Sequence, residues 1–171
     1  LINNAGIEIS SSVNTDADFW NSSWNKVLNI NLGAPAYLCK CFINTKRNKN
    51  INSRFRIINI SSRAAFRGET EDFIAYACSK GGLVSLTKTI SRSFGKKDNV
   101  LAFTIAPGFV HTDMNKDIIK KYGKDHVTKG IVLDRLTEPK DISPVVSLIV
   151  SGKLDHATGS TIDINGGSYL R

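Results

Sequence analysis

The chain reads as an α/β fold built on a parallel sheet. Three observations predict it: short apolar runs at residues 56–60, 100–105 and 161–164, stretches of helical period between them, and turn-forming glycine, proline or asparagine close behind them. Strands separated by helices pair in parallel through right-handed crossovers, so helices cover both faces of the sheet. Ligands in such sheets bind beyond the carboxyl ends of the strands, and that edge is where chemistry is expected.

In order along the chain, Leu1 and Ile2 end a strand that runs into the turn Asn3-Asn4-Ala5-Gly6, and a polar loop follows over 7–15. Asp16 or Asp18 can cap a helix that extends to residue 43, with Phe19, Trp24, Val27, Leu28, Leu32 and Leu38 recurring at helical spacing. Pro35 lies inside it and predicts a kink. Residues 46–54, rich in asparagine and basic side chains, read as a solvated loop before the strand 56–60. A glycine-containing loop leads to a second helix over 72–94, with Ala75, Tyr76, Leu83, Leu86 and Ile90 repeating and Gly95 closing it. The strand 100–105 is ended by Pro107-Gly108, and 110–130 is polar, basic and weakly helical, as a flap would be. Glu138, Pro139 and Asp141 open a third helix through 150, and the strand 161–164 lies between Gly159 and Gly166-Gly167.

A length of 171 residues suits one domain, 1–171, and 41% hydrophobic with 22% charged residues excludes a disordered chain. The apolar runs fall well short of the roughly 18 residues a membrane helix needs, so no membrane role is expected and the chain reads as soluble and cytoplasmic. A net charge of +8 suggests nucleic acid, but the basic residues lack interleaved aromatics or a binding motif, and no nucleic-acid partner is expected. Cys39, Cys41 and Cys78 lack metal-ligand spacing and read as reduced, buried thiols. His111, His126 and His156 are scattered, so no metal site is expected. The chain opens on what reads as the end of a buried strand and has its single methionine at Met114, so an upstream segment is expected to be missing.

Tyr76 and Lys80 lie four apart on a predicted helix and share a face. An ammonium beside a phenol favours the phenolate, bringing a pKa near 10 towards the range of a general acid–base group. Alone, such a pair occurs by chance on many helices and reads first as a buried tyrosine with a solvated lysine. Ser62, fourteen residues before Tyr76 at a strand end, is placed to bond the same substrate oxygen, or to form a turn. Asn31 sits on the first helix, a setting its amide does not favour, and reads otherwise as a solvated or backbone-bonding side chain.

With these stand the segments Asn3-Asn4-Ala5-Gly6, Asn29-Ile30-Asn31, Ile60-Ser61-Ser62, Tyr76-Ala77-Cys78-Ser79-Lys80, Pro107 through Thr112, and Gly159-Ser160 through Gly166-Gly167. In order and spacing the whole chain resembles a short-chain dehydrogenase/reductase. The resemblance implies a Rossmann-like doubly wound parallel sheet, of which these residues form the C-terminal portion, and an NAD- or NADP-dependent oxidoreductase interconverting a carbonyl and a secondary alcohol. It implies that Tyr76 exchanges the proton, Ser62 holds the substrate oxygen, Lys80 lowers the tyrosine pKa and bonds the nicotinamide ribose, and Asn31 holds a water in a proton relay. Asn4, Ala5 and Gly6 would lie against the cofactor, and Pro107, Gly108, Val110 and Thr112 against the nicotinamide, with Val110 and Thr112 on its carboxamide.

The departure from the family pattern is the absence of a GxxxGxG-like turn for the pyrophosphate and of the residues that choose between NAD and NADP. A catalytically inactive remnant, able only to pair with a related subunit, is therefore the alternative expectation. The overall look resembles the subgroup of 3-oxoacyl carrier-protein reductases and of sugar and alcohol dehydrogenases. Met114, Ile118, Ile119 and Tyr122 would offer a small or acyl-bearing ketone apolar contacts. Arg63, Arg67, Lys116, Lys120, Lys121 and Lys124 would face an acidic carrier protein or a phosphorylated group, or serve as a solvated basic face. The resemblance also implies homodimers or homotetramers formed through the two long helices, with Phe19, Trp20 and Trp24 in that interface or in the core.

Overall fold

The computed structural model of the chain describes residues 1–112, 120, 123 and 127–171. Among the described residues the sheet has four strands, all parallel, in the order β1 (Ile2–Asn3), β2 (Phe55–Ile60), β3 (Val100–Pro107) and β4 (Thr161–Ile164). Sequence order and spatial order coincide, so each strand lies beside the one that follows it in the chain. All eight residues of β3 are buried, since it has neighbours on both edges and helices on both faces.

One face of the sheet carries α1 (Ala17–Leu28), α2 (Ala34–Asn48) and α4 (Ile74–Asp98), with Cys39, Ile43, Ile57, Ile90, Val100 and Ala102 as its core. The other face packs α5 (Pro139–Val150) through Ile149 against Ile58, Leu101, Phe103 and Ile105. Full burial of each such side chain is worth about 1.5–3 kcal/mol, so these two layers outweigh any single polar contact. A short helix, α3 (Ala64–Arg67), and a 3-10 turn (Glu71–Phe73) occupy what reads from the sequence as a plain loop.

Asp16 caps α1, its carboxylate accepting from the Phe19 N–H at 2.8 Å, as one of the two expected residues. Between α1 and α2 the helix does not simply bend at Pro35; it widens into a π turn over Asn29–Gly33, with the Ala34 N–H donating to the Asn29 carbonyl. Pro35, in the first turn of α2, has no N–H to give to the carbonyls of Ile30 and Asn31.

Four expectations need correction. The first helical segment runs to Asn48, not 43, and Lys46 is a buried helical residue, its ammonium on the carbonyls of Ile51 and Ser53 at 2.5 Å each, because those carbonyls satisfy a charge that has left water. Gly95 does not end α4; the helix continues to Asp98 and stops at Asn99, which takes the left-handed conformation at φ 54°. Of the cysteines only Cys39 is buried, since Cys41 and Cys78 lie on solvent-facing positions of their helices. Leu38, one of the residues at helical spacing, is half exposed and stays out of the core, while Phe19, open between interface and core, is half exposed as well.

A line of buried polar groups crosses from the sheet to α4. Asn3 and Asn59 are register partners on β1 and β2, and the Asn3 amide donates to Asn59 Oδ1 at 2.7 Å. Asn59 donates to Thr87 Oγ1 at 2.8 Å, and Thr87 to the Leu83 carbonyl at 2.9 Å. Asn3 Oδ1 has no partner among the described residues.

The expected flap lies largely outside the described residues, with Met114, Lys116, Ile118, Ile119, Lys121, Tyr122, Lys124 and His126 among those omitted. No helix among the described residues is long and apolar enough to cross a membrane.

Candidate active site

At the carboxyl ends of β1, β2 and β3 lies a cavity of about 790 Å³. The turn after β1 contributes Asn4, Ala5 and Gly6; the end of β2 contributes Ser62; α4 contributes Tyr76 and Lys80; and the segment after β3 contributes Pro107, Gly108, Val110 and Thr112. Each sequence-predicted site residue except Asn31 therefore lines one space. Asn31 sits behind the Asn4–Gly6 turn, fully buried, its Oδ1 accepting from the Ile7 N–H at 2.8 Å and its Nδ2 donating to the Ile7 carbonyl at 2.8 Å. It is not solvated; the backbone-bonding alternative describes both contacts to Ile7, and Nδ2 also donates to Ser79 Oγ at 3.0 Å.

Ser62 is positioned by the ladder that β2 and β3 extend past their ends: the Ser61 N–H donates to the Ile105 carbonyl at 2.8 Å and the Arg63 N–H to the Pro107 carbonyl at 3.0 Å. Its Oγ accepts from the Ala64 N–H at 3.1 Å, which opens α3. Ser61 Oγ donates to the Lys80 carbonyl at 2.8 Å, tying the strand end to α4.

Lys80 is 4% exposed, and its ammonium donates to the Ile60 carbonyl at 3.0 Å. Burial lowers its pKa to about 8, leaving the ammonium mostly protonated at neutral pH. The nitrogen lies 5.6 Å from the centre of the Tyr76 ring. The expected lowering of the Tyr76 pKa is not found. Burial pushes the phenol up, bonding with Ser62 pulls the other way, and the carboxylates of Glu8 and Glu69 add to the rise. The desolvation of the buried phenol thus outweighs the Ser62 bond that pulls it down.

Two glycines let the walls approach their neighbours closely. A Cβ on Gly6 would lie 3.2 Å from Lys80 Nζ and 3.4 Å from Asn31 Oδ1, so the bare backbone lets the turn lie close against both ammonium and amide. A Cβ on Gly108 would meet Asn165 at 2.9 Å, so the turn after β3 packs directly on the loop after β4. Of the basic residues expected near the mouth, Arg67 is paired with Glu69 and Arg63 donates to Ser168 Oγ, while Lys120 is exposed.

The opposite wall was not foreseen. Pro139, Ile142, Ser143 and Val146 of α5 close the cavity, and their spacing of three and four residues is the available signal, because it marks one helix face. Hydroxyls of Ser62 and Tyr76, an ammonium, and an apolar far wall converge here, a set able to hold an oxygen-bearing carbon and to move a proton to or from it.

Similarity to known proteins agrees with this arrangement. A family model described as Enoyl-(Acyl carrier protein) reductase matches residues 1–169. The chain is 32% identical over 170 residues to the 3-oxoacyl-[acyl-carrier-protein] reductase FabG of Buchnera aphidicola subsp. Schizaphis graminum, covering 99% of this chain and 66% of that protein. It is 33% identical over 173 residues to the protein of the same name from Aquifex aeolicus, covering 99% and 64%. The solved structure of a 4-hydroxyisoleucine dehydrogenase mutant complexed with NADH and succinate superposes with a TM-score of 0.87 at 28% identity, covering 98% of this chain and 66% of that one. The chain thus spans about two thirds of the length of the relatives it matches. Matched almost from end to end in sequence and in fold, it belongs to the short-chain dehydrogenase/reductase family.

Proposed function

We propose that this chain carries the substrate site and the nicotinamide end of the cofactor site of an NAD(P)-dependent oxidoreductase that interconverts a carbonyl and a secondary alcohol. The observation that carries the reading is the convergence of Ser62, Tyr76 and Lys80 on one cavity, with Asn31 buried directly behind it. NADH in a related solved structure and the acyl-carrier reductase names of the sequence relatives support it.

Tyr76 is the acid–base group. Its raised pKa keeps the phenol protonated at neutral pH, the state needed to donate a proton to the oxygen of a ketone. Ser62 holds that oxygen by a second hydroxyl contact, and Lys80, mostly charged at neutral pH, stabilises the phenolate left behind. Lys80 and Asn31, both close to Gly6, would carry the proton path that refills Tyr76. The cavity would take the nicotinamide end of the cofactor: Lys80 would hold the nicotinamide ribose, Pro107, Gly108, Val110 and Thr112 the ring and carboxamide, and the Asn4–Gly6 turn would lie on the side of the adenosine ribose. When bound, the nicotinamide supplies or accepts hydride. Ile142 and Val146 favour an apolar substituent on the ketone, compatible with an acyl chain carried by an acidic protein. Pairing of two subunits through α1, α2 and α4 is part of the same proposal, since Phe19, Tyr37, Leu38 and Ile74 expose apolar surface there.

The family model's name points to a carbon–carbon double bond instead. Ser62 favours the carbonyl, because a second hydroxyl beside Tyr76 serves an oxygen that takes up charge. The test is reduction of a panel of 3-oxoacyl and 2-enoyl thioesters, followed by NAD(P)H absorbance, with Tyr76→Phe as the control. Turnover of the ketones and a loss of about a hundredfold or more in Tyr76→Phe is expected. Turnover of the enoyl compounds alone, or a Tyr76→Phe variant as active as the parent, rejects the reading.

A further inference from the structure

Asn31 reaches the helix of Tyr76 and Lys80 through one side chain. Ser79 is fully buried, accepts the Asn31 Nδ2 hydrogen at 3.0 Å and donates its own to the Tyr76 carbonyl at 2.7 Å. The other end of the Asn31 amide is clamped to both backbone groups of Ile7, just past the Asn4–Gly6 turn. One hydroxyl therefore links the broken helix, the turn after β1 and α4 into a single hydrogen-bonded unit.

The π turn makes that link necessary. Regular helix fixes a side chain by its repeat, but Asn29–Gly33 departs from the repeat at the residue that must be placed. Its height relative to Lys80 is then set by its partners. Ile7 fixes it along the turn, and Ser79 is the one partner that belongs to the helix bearing the acid–base group.

We propose that Ser79 is a positioning residue for this site: its hydroxyl, between the Asn31 amide and the Tyr76 carbonyl, holds Asn31 in register with Lys80. The proposal rests on the functional reading above for its purpose, but it is testable without turnover. Removing the hydroxyl leaves one Asn31 N–H buried without an acceptor, which frees the amide to tilt or exchange.

The experiment is NMR-detected hydrogen exchange of the Asn31 side-chain amide in the full chain and in Ser79→Ala, with the backbone amides of Ile57 and Phe103 as internal references. At least about tenfold faster exchange at Asn31, with the references unchanged, is the expected result. Unchanged exchange at Asn31 overturns the proposal. So does equal acceleration at all three positions, which is what a merely structural hydroxyl gives. If Ser79→Ala does not fold, Ser79→Cys, which puts a larger and weaker acceptor in the same place, is read by the same criteria at smaller amplitude. A chain that fails to reduce any ketone yet shows the selective effect keeps this inference and rejects the catalytic one.

Discussion

Two long helical segments lie on the same face of the sheet, and they are built differently. α4 runs unbroken for 25 residues, and four residues of regular repeat set Tyr76 against Lys80. Its neighbour is interrupted by the five-residue π turn, and Asn31 inside that turn is held by groups 24 and 48 positions away. A pair on a regular helix is placed by the chain itself. A residue on an irregular one is placed by tertiary bonds, and so depends on substitutions elsewhere.

The two meet at Gly82 of α4, where a Cβ would come within 2.5 Å of Leu32 Cδ2 in the π turn. Gly82→Val is expected to force them apart and to cost about 3 kcal/mol, the upper range of core overpacking, measured by urea unfolding. A change below about 0.5 kcal/mol would mean that Leu32 turns aside and the helices are not closely matched.

The straight helix also carries a charge in the wrong solvent. Lys80 has a folded-state pKa of about 8, below its ordinary value of 10.5, so between those values the folded chain binds fewer protons than the unfolded one. Stability therefore rises with pH through that window. Relative to Lys80→Met, the parent is expected to gain about 1 kcal/mol between pH 8 and 9. The raised thiol of Cys39 and phenol of Tyr76 act in the opposite sense above their ordinary values of 9.0 and 10.0, so the lower end of the window is the clean one. Parallel unfolding curves for parent and variant at the two pH values would deny the buried ammonium its cost.

The smallest effect concerns the break itself. Pro35→Ala returns an N–H to the first turn of α2, yet the π turn is also held by Asn31 and by packing at Leu32. A shift of about 0.5 kcal/mol in thermal unfolding is expected. A much larger gain would identify proline, not packing, as the cause of the interruption.

These contrasts mark what was legible in the residues. Strand runs, the cap at Asp16 and the Tyr76–Lys80 pair are local patterns, and the parallel sheet follows from their alternation. The π turn was visible only as a kink at Pro35, because widening a helix depends on what lies across from it. Gly95 misled as a helix end because glycine permits a stop without imposing one, whereas Asn99 stands where β3 must begin. The pKa of Tyr76 required its burial to be known, and burial is a property of the assembled cavity. The α5 wall carried a signal in its spacing, but a helix face does not announce whether it meets core or ligand.

The paired amides of Asn3 and Asn59 bear on how the chain finds its alignment. Apolar strands slide past one another at little penalty, since one buried methyl group replaces another. Here any slip of β1 along β2 separates two buried amides and leaves the Asn59 side-chain carbonyl oxygen without the donor it has in register. The pair thus acts as an index mark: the sheet closes fully only when the first strand sits at the one offset that carries the Asn4–Gly6 turn to the mouth of the cavity.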